Sequence, residues 1–263
     1  MVDFQSKDFY RVSDLREIIA LLRSEEGCPW DREQTHQSIR RNFLEETWEA
    51  CEAIDRNDPH LLREELGDVL TQVIFHARIE EEAGRFDLDD VADVTCKKLI
   101  SRHPHIFGGG TASDVETVLT NWDELKRQEK RHETTAQAME AVAKSLPATW
   151  RAEKVQEKAK KVGFDWPTVD GAIEKMEEEL AELKEAIRQG AGREEEMGDL
   201  LFSAINVARL LGQDPEESLH LATDKFIRRF AYMEQAARKQ GQALEDMSLE
   251  EMEVLYQASK GRL

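Results

Sequence analysis

Three blocks of this sequence occur twice, in the same order. Phe43-Leu-Glu-Glu-Thr-Trp-Glu49 matches Met176-Glu-Glu-Glu-Leu-Ala-Glu182, and Glu64-Glu-Leu-Gly-Asp-Val-Leu70 matches Glu195-Glu-Met-Gly-Asp-Leu-Leu201. Further on, Lys98-Leu-Ile-Ser-Arg102 matches Lys225-Phe-Ile-Arg-Arg229. An ordered repeat is one folding unit used twice, so both halves must reach the same architecture. The polar stretch from about Arg127 to Ser145 is the natural seam, which predicts domains at 1–130 and 131–263. A chain of 263 residues has room for two such units.

The period inside each copy is helical. Apolar residues recur three and four apart over Asp14–Arg23, Ile39–Arg56, Leu61–Ala83, Asp89–Ser101 and Asp114–Arg131. The same spacing returns over Leu146–Lys161, Val169–Gln189, Glu194–Leu211, Pro215–Gln240 and Leu249–Ser259. Breaks fall at Gly27-Cys28-Pro29, Asp58-Pro59, Gly84, Gly108–Gly110, Gly163–Pro167, Gly190–Gly192 and Gly212–Pro215. Only six prolines and fourteen glycines interrupt the chain, and no alternating run is long enough for a sheet. The expected fold class is all-α, as two tandem helical bundles.

Charge narrows the function. There are 55 acidic and 36 basic side chains, a formal net charge of −19. That balance excludes coating of nucleic acid, which needs a dominant basic surface, and docking on anionic membranes. A nucleotide remains a possible ligand if a divalent cation mediates. The cysteines at 28, 51 and 96 form no C-x-x-C pair, the start lacks a signal-peptide pattern, and Leu200–Leu211 is too short and polar to span a bilayer. The expectation is a cytoplasmic protein.

Each copy places E-E-x-x-E on one helix and E-x-x-D on the next. Side chains three or four apart share a helix face, so Glu179 stands with Glu182 and Glu196 with Asp199; Glu46, Glu49, Glu65 and Asp68 repeat the pattern. A solvated acidic face is the competing reading. On a wheel of about 100° per residue with Glu196 at zero, Asp199 falls near 300°. Apolar Leu200, Leu201, Phe202, Ile205, Val207 and Leu210 cover most of the rest. A helix apolar nearly all round is expected to be buried, with its carboxylates aimed into the bundle. Buried unpaired carboxylates are costly, and a hard divalent cation such as Mg²⁺ compensates them. The E-x-x-H strings Glu33/His36, Glu129/His132 and Glu217/His220 do not join these blocks, so a di-iron centre is not indicated. Gly108-Gly109-Gly110-Thr111 lacks the G-K-[ST] ending of a P-loop.

With these blocks in view, the sequence resembles the MazG family of all-α nucleoside triphosphate pyrophosphohydrolases, relatives of the dimeric dUTPases. Gly27-Cys-Pro-Trp-Asp31, Arg102-His-Pro-His-Ile-Phe107, Val162-Gly-Phe-Asp-Trp166 and Met197-Gly-Asp-Leu-Leu-Phe202 are similar to its two-repeat bacterial members. The resemblance implies hydrolysis of nucleoside triphosphates to monophosphate and pyrophosphate, Mg²⁺ as cofactor with Mn²⁺ as a substitute, and a homodimer. It implies Glu179, Glu182, Glu196 and Asp199 as metal ligands, with Glu46, Glu49, Glu65 and Asp68 as a second set. Glu178 or Glu179 is the candidate base for the attacking water.

The second repeat is favoured as the catalytic one. Lys225, Arg228 and Arg229 share a helix face suited to phosphate, whereas the first repeat has Lys98, Ser101 and Arg102. Asn206 is expected near the carboxylates, where the first repeat has Phe75. Lys175, Glu178, Asn206, Lys225, Arg228, Arg229 and Tyr256 are therefore the candidate nucleotide contacts. Tyr256 reads equally as a core aromatic, and His103 and His105 around Pro104 suggest a loop. The alternatives to an enzyme are a nucleotide-sensing module without turnover and a helical interaction protein.

Overall fold

The computed structural model describes residues 4–109 and 134–261. Contacts divide the chain into two compact units, 1–129 and 130–263. The expected helix over 114–131 and the Glu129/His132 string lie outside the described residues. Among the described residues all regular structure is helical, as the repeat and its period predict.

The first unit contains α1 (Val12–Leu22), α2 (Pro29–Glu33), α3 (His36–Asp55), α4 (Pro59–Glu82), α5 (Leu88–Arg102) and the turn-long α6 (Pro104–Phe107). Thr35 caps α3 with a reciprocal bond to Ser38, and Asp58 caps α4 ahead of Pro59. Ile19, Ile39, Ile74 and Phe75 form the core where α1, α3 and α4 meet, with Leu15, Leu70, Ile79 and Leu88 packed around them.

The second unit contains α7 (Thr135–Glu140), α8 (Ala148–Lys160), α9 (Val169–Gln189), α10 (Arg193–Leu210), α11 (Pro215–Lys239), a 3₁₀ turn (Leu244–Asp246) and α12 (Leu249–Lys260). Gly190 and Gly192, both at φ 76°, reverse the chain between α9 and α10. That turn forces the two helices into a hairpin, and their carboxylate blocks face each other. Met233, Ala237 and Leu255 form a core between α11 and α12, with Tyr256 packed against it.

A polar seam in the first unit was not anticipated. The rings of His36 and His76 stack at 5.0 Å, and their Nδ1 atoms are 2.7 Å apart, so one must donate to the other. The Nε2 of His36 is 2.5 Å from Glu80, and Arg85 donates to both Glu80 oxygens. Burial, then His36, holds His76 below the usual histidine range. Chiefly the Arg85 hydrogen bonds hold Glu80 at about 2.

Both shifts mean that the unfolded chain binds more protons than the folded one, so acid destabilises this seam. The His76 contribution is full above its ordinary pKa of 6.5 and declines as pH falls below it. The Glu80 contribution is full above 4.5 and is lost as pH falls toward about 2. The thermal midpoint of the first unit in His76→Phe is expected to lose part of its slope between about pH 7 and 5. An unchanged slope would show that His76 is not the titrating group.

Candidate metal centre

In each unit the repeat blocks lie on one helical hairpin. Oxygens of Glu179, Glu196 and Asp199 lie within 4.8 Å of one another, as do oxygens of Glu46, Glu49 and Glu65. Ligands of one Mg²⁺ ion lie at most about 4.2 Å apart, so a slight closing of either set would bring it onto one ion, and an all-carboxylate donor set suits a hard cation. The fourth member of each set is close enough to be felt. Burial first, then Glu179 and a hydrogen bond with it, raises the pKa of Glu182, against the opposing charge of Lys175. Burial first, then Asp68, Glu49 and Glu65, raises that of Glu46. Burial, then Glu49 and Asp68, raises that of Glu65. These carboxylates resist shared ionisation, and a divalent cation would relieve that repulsion.

The expectation that α10 is buried on all sides is overturned. Met197, Leu201 and Phe202 are exposed, Leu201 to 59%. Glu179 is buried at 7% exposure, but Glu182 and Asp199 are exposed and Glu196 is intermediate. The carboxylates therefore lie at an open face of the hairpin, with Glu179 buried beneath it, and not inside the bundle. The wheel reads α10 as apolar nearly all round, but the unit leaves the side of Met197, Leu201 and Phe202 uncovered. Elsewhere α9 packs against α10, and Gln156 of α8 donates to the Phe202 carbonyl.

The cationic candidates separate into two groups. Lys175 sits at the carboxylates, with its ammonium 2.8 Å from Glu178 and 2.7 Å from Glu179. Lys225 and Arg228 are exposed on α11, and the Arg229 guanidinium lies over the Tyr256 ring at 5.6 Å. Among the described residues no ion pair or hydrogen bond joins this second group to the carboxylates. Tyr256 also meets Phe226 and Lys260, so it belongs to the α11–α12 core. Asn206 turns its Oδ1 to Arg209, which donates to it at 2.7 Å and pairs with Asp165. His103 donates from Nδ1 to the Leu99 carbonyl at the end of α5.

Sequence reasoning missed His76, Glu80 and Arg85, and set His36 aside with its E-x-x-H string. The missing signal was in the repeat itself. His36, His76 and Glu80 align with Val169, Val207 and Leu211, so a polar network stands where the second copy is apolar.

Comparison with known proteins agrees with this picture. The MazG nucleotide pyrophosphohydrolase domain matches residues 34–107 and 168–233, once in each unit and across both carboxylate hairpins. The nucleoside triphosphate pyrophosphohydrolase/pyrophosphatase MazG of Thermotoga maritima is 44% identical over 94% of this chain and 95% of its own length. The nucleoside triphosphate pyrophosphohydrolase of Escherichia coli K12 is 41% identical over 95% of this chain and 97% of its own. YabN of Bacillus subtilis, an uncharacterized protein, is 43% identical over 96% of this chain but only 52% of its own length. One domain family matched twice, over both carboxylate hairpins, together with relatives more than 40% identical over nearly the whole chain, places this chain in the MazG nucleotide pyrophosphohydrolase family.

Proposed function

We propose that the chain hydrolyses ribo- and deoxyribonucleoside triphosphates to monophosphate and pyrophosphate, by water attack at the α-phosphate, with Mg²⁺ as cofactor and Mn²⁺ as a substitute. The carrying observation is the carboxylate cluster of Glu179, Glu196 and Asp199 on α9 and α10, on a segment that the family match covers. The Thermotoga maritima and Escherichia coli relatives are named nucleoside triphosphate pyrophosphohydrolases, which supports the reaction class. Control of the nucleotide pool, or removal of aberrant nucleotides, in the cytoplasm is the corresponding role.

Glu179, Glu182, Glu196 and Asp199 would hold the ion, which when bound offsets phosphate charge and acidifies water. Glu178 is exposed beside Glu179, and one of these two carboxylates takes the proton of the attacking water. Lys175, already at the carboxylates, supplies positive charge to the phosphates. Lys225, Arg228 and Arg229 would add to it from α11, and Asn206 and Tyr256 would reach the nucleotide only by giving up their present contacts with Arg209 and with the α11–α12 core. In a homodimer, Met197, Leu201 and Phe202 leave solvent; Leu66, which matches Met197, is likewise exposed in the first unit. Such exposed apolar residues beside a polar cluster suit an interface.

The test is pyrophosphate release from each common ribo- and deoxyribonucleoside triphosphate, with Mg²⁺ and with chelator, in ¹⁸O-labelled water. Pyrophosphate with the label in the monophosphate is expected. Label in released orthophosphate would overturn the proposal. Thermal stabilisation by Mg²⁺ and nucleotide without any product would establish a sensor instead.

A further inference from the structure

The two carboxylate groups differ in a residue seated among them. Lys175 lies one turn before Glu179, and its ammonium contacts both Glu178 and Glu179. Glu179 is the most buried member of its group and shares it with Glu196 and Asp199. At the matching position the first repeat has Asn42, an uncharged amide. The charges acting most strongly on Glu46 and Glu65 are other carboxylates. One cluster therefore holds anions facing anions, and the other has a cation already on its buried member.

A divalent ion entering the second cluster must displace Lys175 from Glu179 or share that carboxylate with it. A unit charge facing a divalent ion at about 4 Å changes its binding constant about thirtyfold even at the dielectric constant of water. The Lys175 side chain is 38% exposed and can swing into solvent, which reduces the expected effect to about tenfold.

We infer that Lys175 is a resident counter-ion that excludes free metal from the second site, so that metal enters there together with the nucleotide, whereas the first repeat takes divalent metal unaided. The triphosphate supplies what free metal lacks, an anion to receive the displaced ammonium. One positive charge leaves Glu179 as another arrives. This rests on the metal-dependent reading above and concerns the order of binding.

Mn²⁺ titration of the full chain, followed by electron paramagnetic resonance without nucleotide, tests it. A tighter class removed by Glu65→Ala and a weaker class removed by Glu196→Ala are expected. Lys175→Met should tighten the weaker class by about tenfold, and Asn42→Lys should weaken the tighter class by a similar factor. A non-hydrolysable triphosphate analogue should tighten the weaker class in the wild type. If Mn²⁺ binds but neither the Lys175 nor the Asn42 substitution moves its affinity in these directions, the inference is overturned. If Mn²⁺ binds neither repeat, with or without the analogue, the metal-dependent reading fails and the inference fails with it.

Discussion

Glu196→Ala is expected to lower pyrophosphate release by about a hundredfold or more, because it removes one carboxylate from a group whose joint task is to hold the activating cation. Glu65→Ala, the matching change in the first repeat, is expected to leave most of the release intact. Asymmetry between the repeats is the reason. The second repeat has a cation at its carboxylates and a third basic residue on the following helix, Arg228, where the first has Ser101.

The stability of Glu196→Ala separates a lost function from a lost fold. The pKa of Glu182 is raised by burial first, then by Glu179 and, in smaller part, by the charge of Glu196, so deleting Glu196 without metal relieves a like-charge contact. The metal-free variant should therefore melt no lower than the wild type, as is common when a site has been shaped for activity at the expense of stability. Steady-state release and thermal melts on both variants provide the check. Loss in Glu65→Ala with retention in Glu196→Ala would reverse the assignment of repeats.

The hairpins were legible in the sequence because their causes are local. Carboxylates three and four apart must share a helix face, and a short turn such as Gly190-Ala191-Gly192 leaves two helices no choice but to face each other. The grouping of Glu179, Glu196 and Asp199 follows from those facts alone. Solvent exposure of α10 was not legible, since a helical wheel counts apolar residues and cannot say whether Leu201 has a neighbour. Asn206 illustrates a second limit: its angular position was readable, but the claim of Arg209 on its carbonyl depends on a loop that Asp165 brings back from before α9. The histidine seam needed both copies read against each other for chemical contrast as well as for identity.

Arg23→Met is expected to destabilise the first unit by about 3–5 kcal/mol, the cost of breaking a buried ion pair from one side. The side chain of Arg23 is 5% exposed. Its Nε and Nη2 donate to Glu82, its Nη1 donates to the carbonyls of Asp31 and Gln34, and its guanidinium lies over the Phe75 ring at 5.1 Å. It thus fastens the Gly27–Gln34 segment to the end of α4. A Cβ on Gly27 would meet the Leu21 carbonyl oxygen at 2.2 Å, so that segment crosses the end of α1 too closely for any other residue. Methionine fills the volume but leaves two carbonyls without their donor and leaves Glu82 with Arg78 alone as its cationic partner. For a unit of this size the loss corresponds to a fall of about 10–20 °C in its melting midpoint. Calorimetry of the full chain should show one transition moving and the other fixed. Arg23 belongs to the first unit and the proposed catalytic carboxylates to the second, so at low temperature pyrophosphate release should persist in Arg23→Met and be lost in Glu196→Ala. An unmoved transition would show that the guanidinium is dispensable to the stability of the first unit.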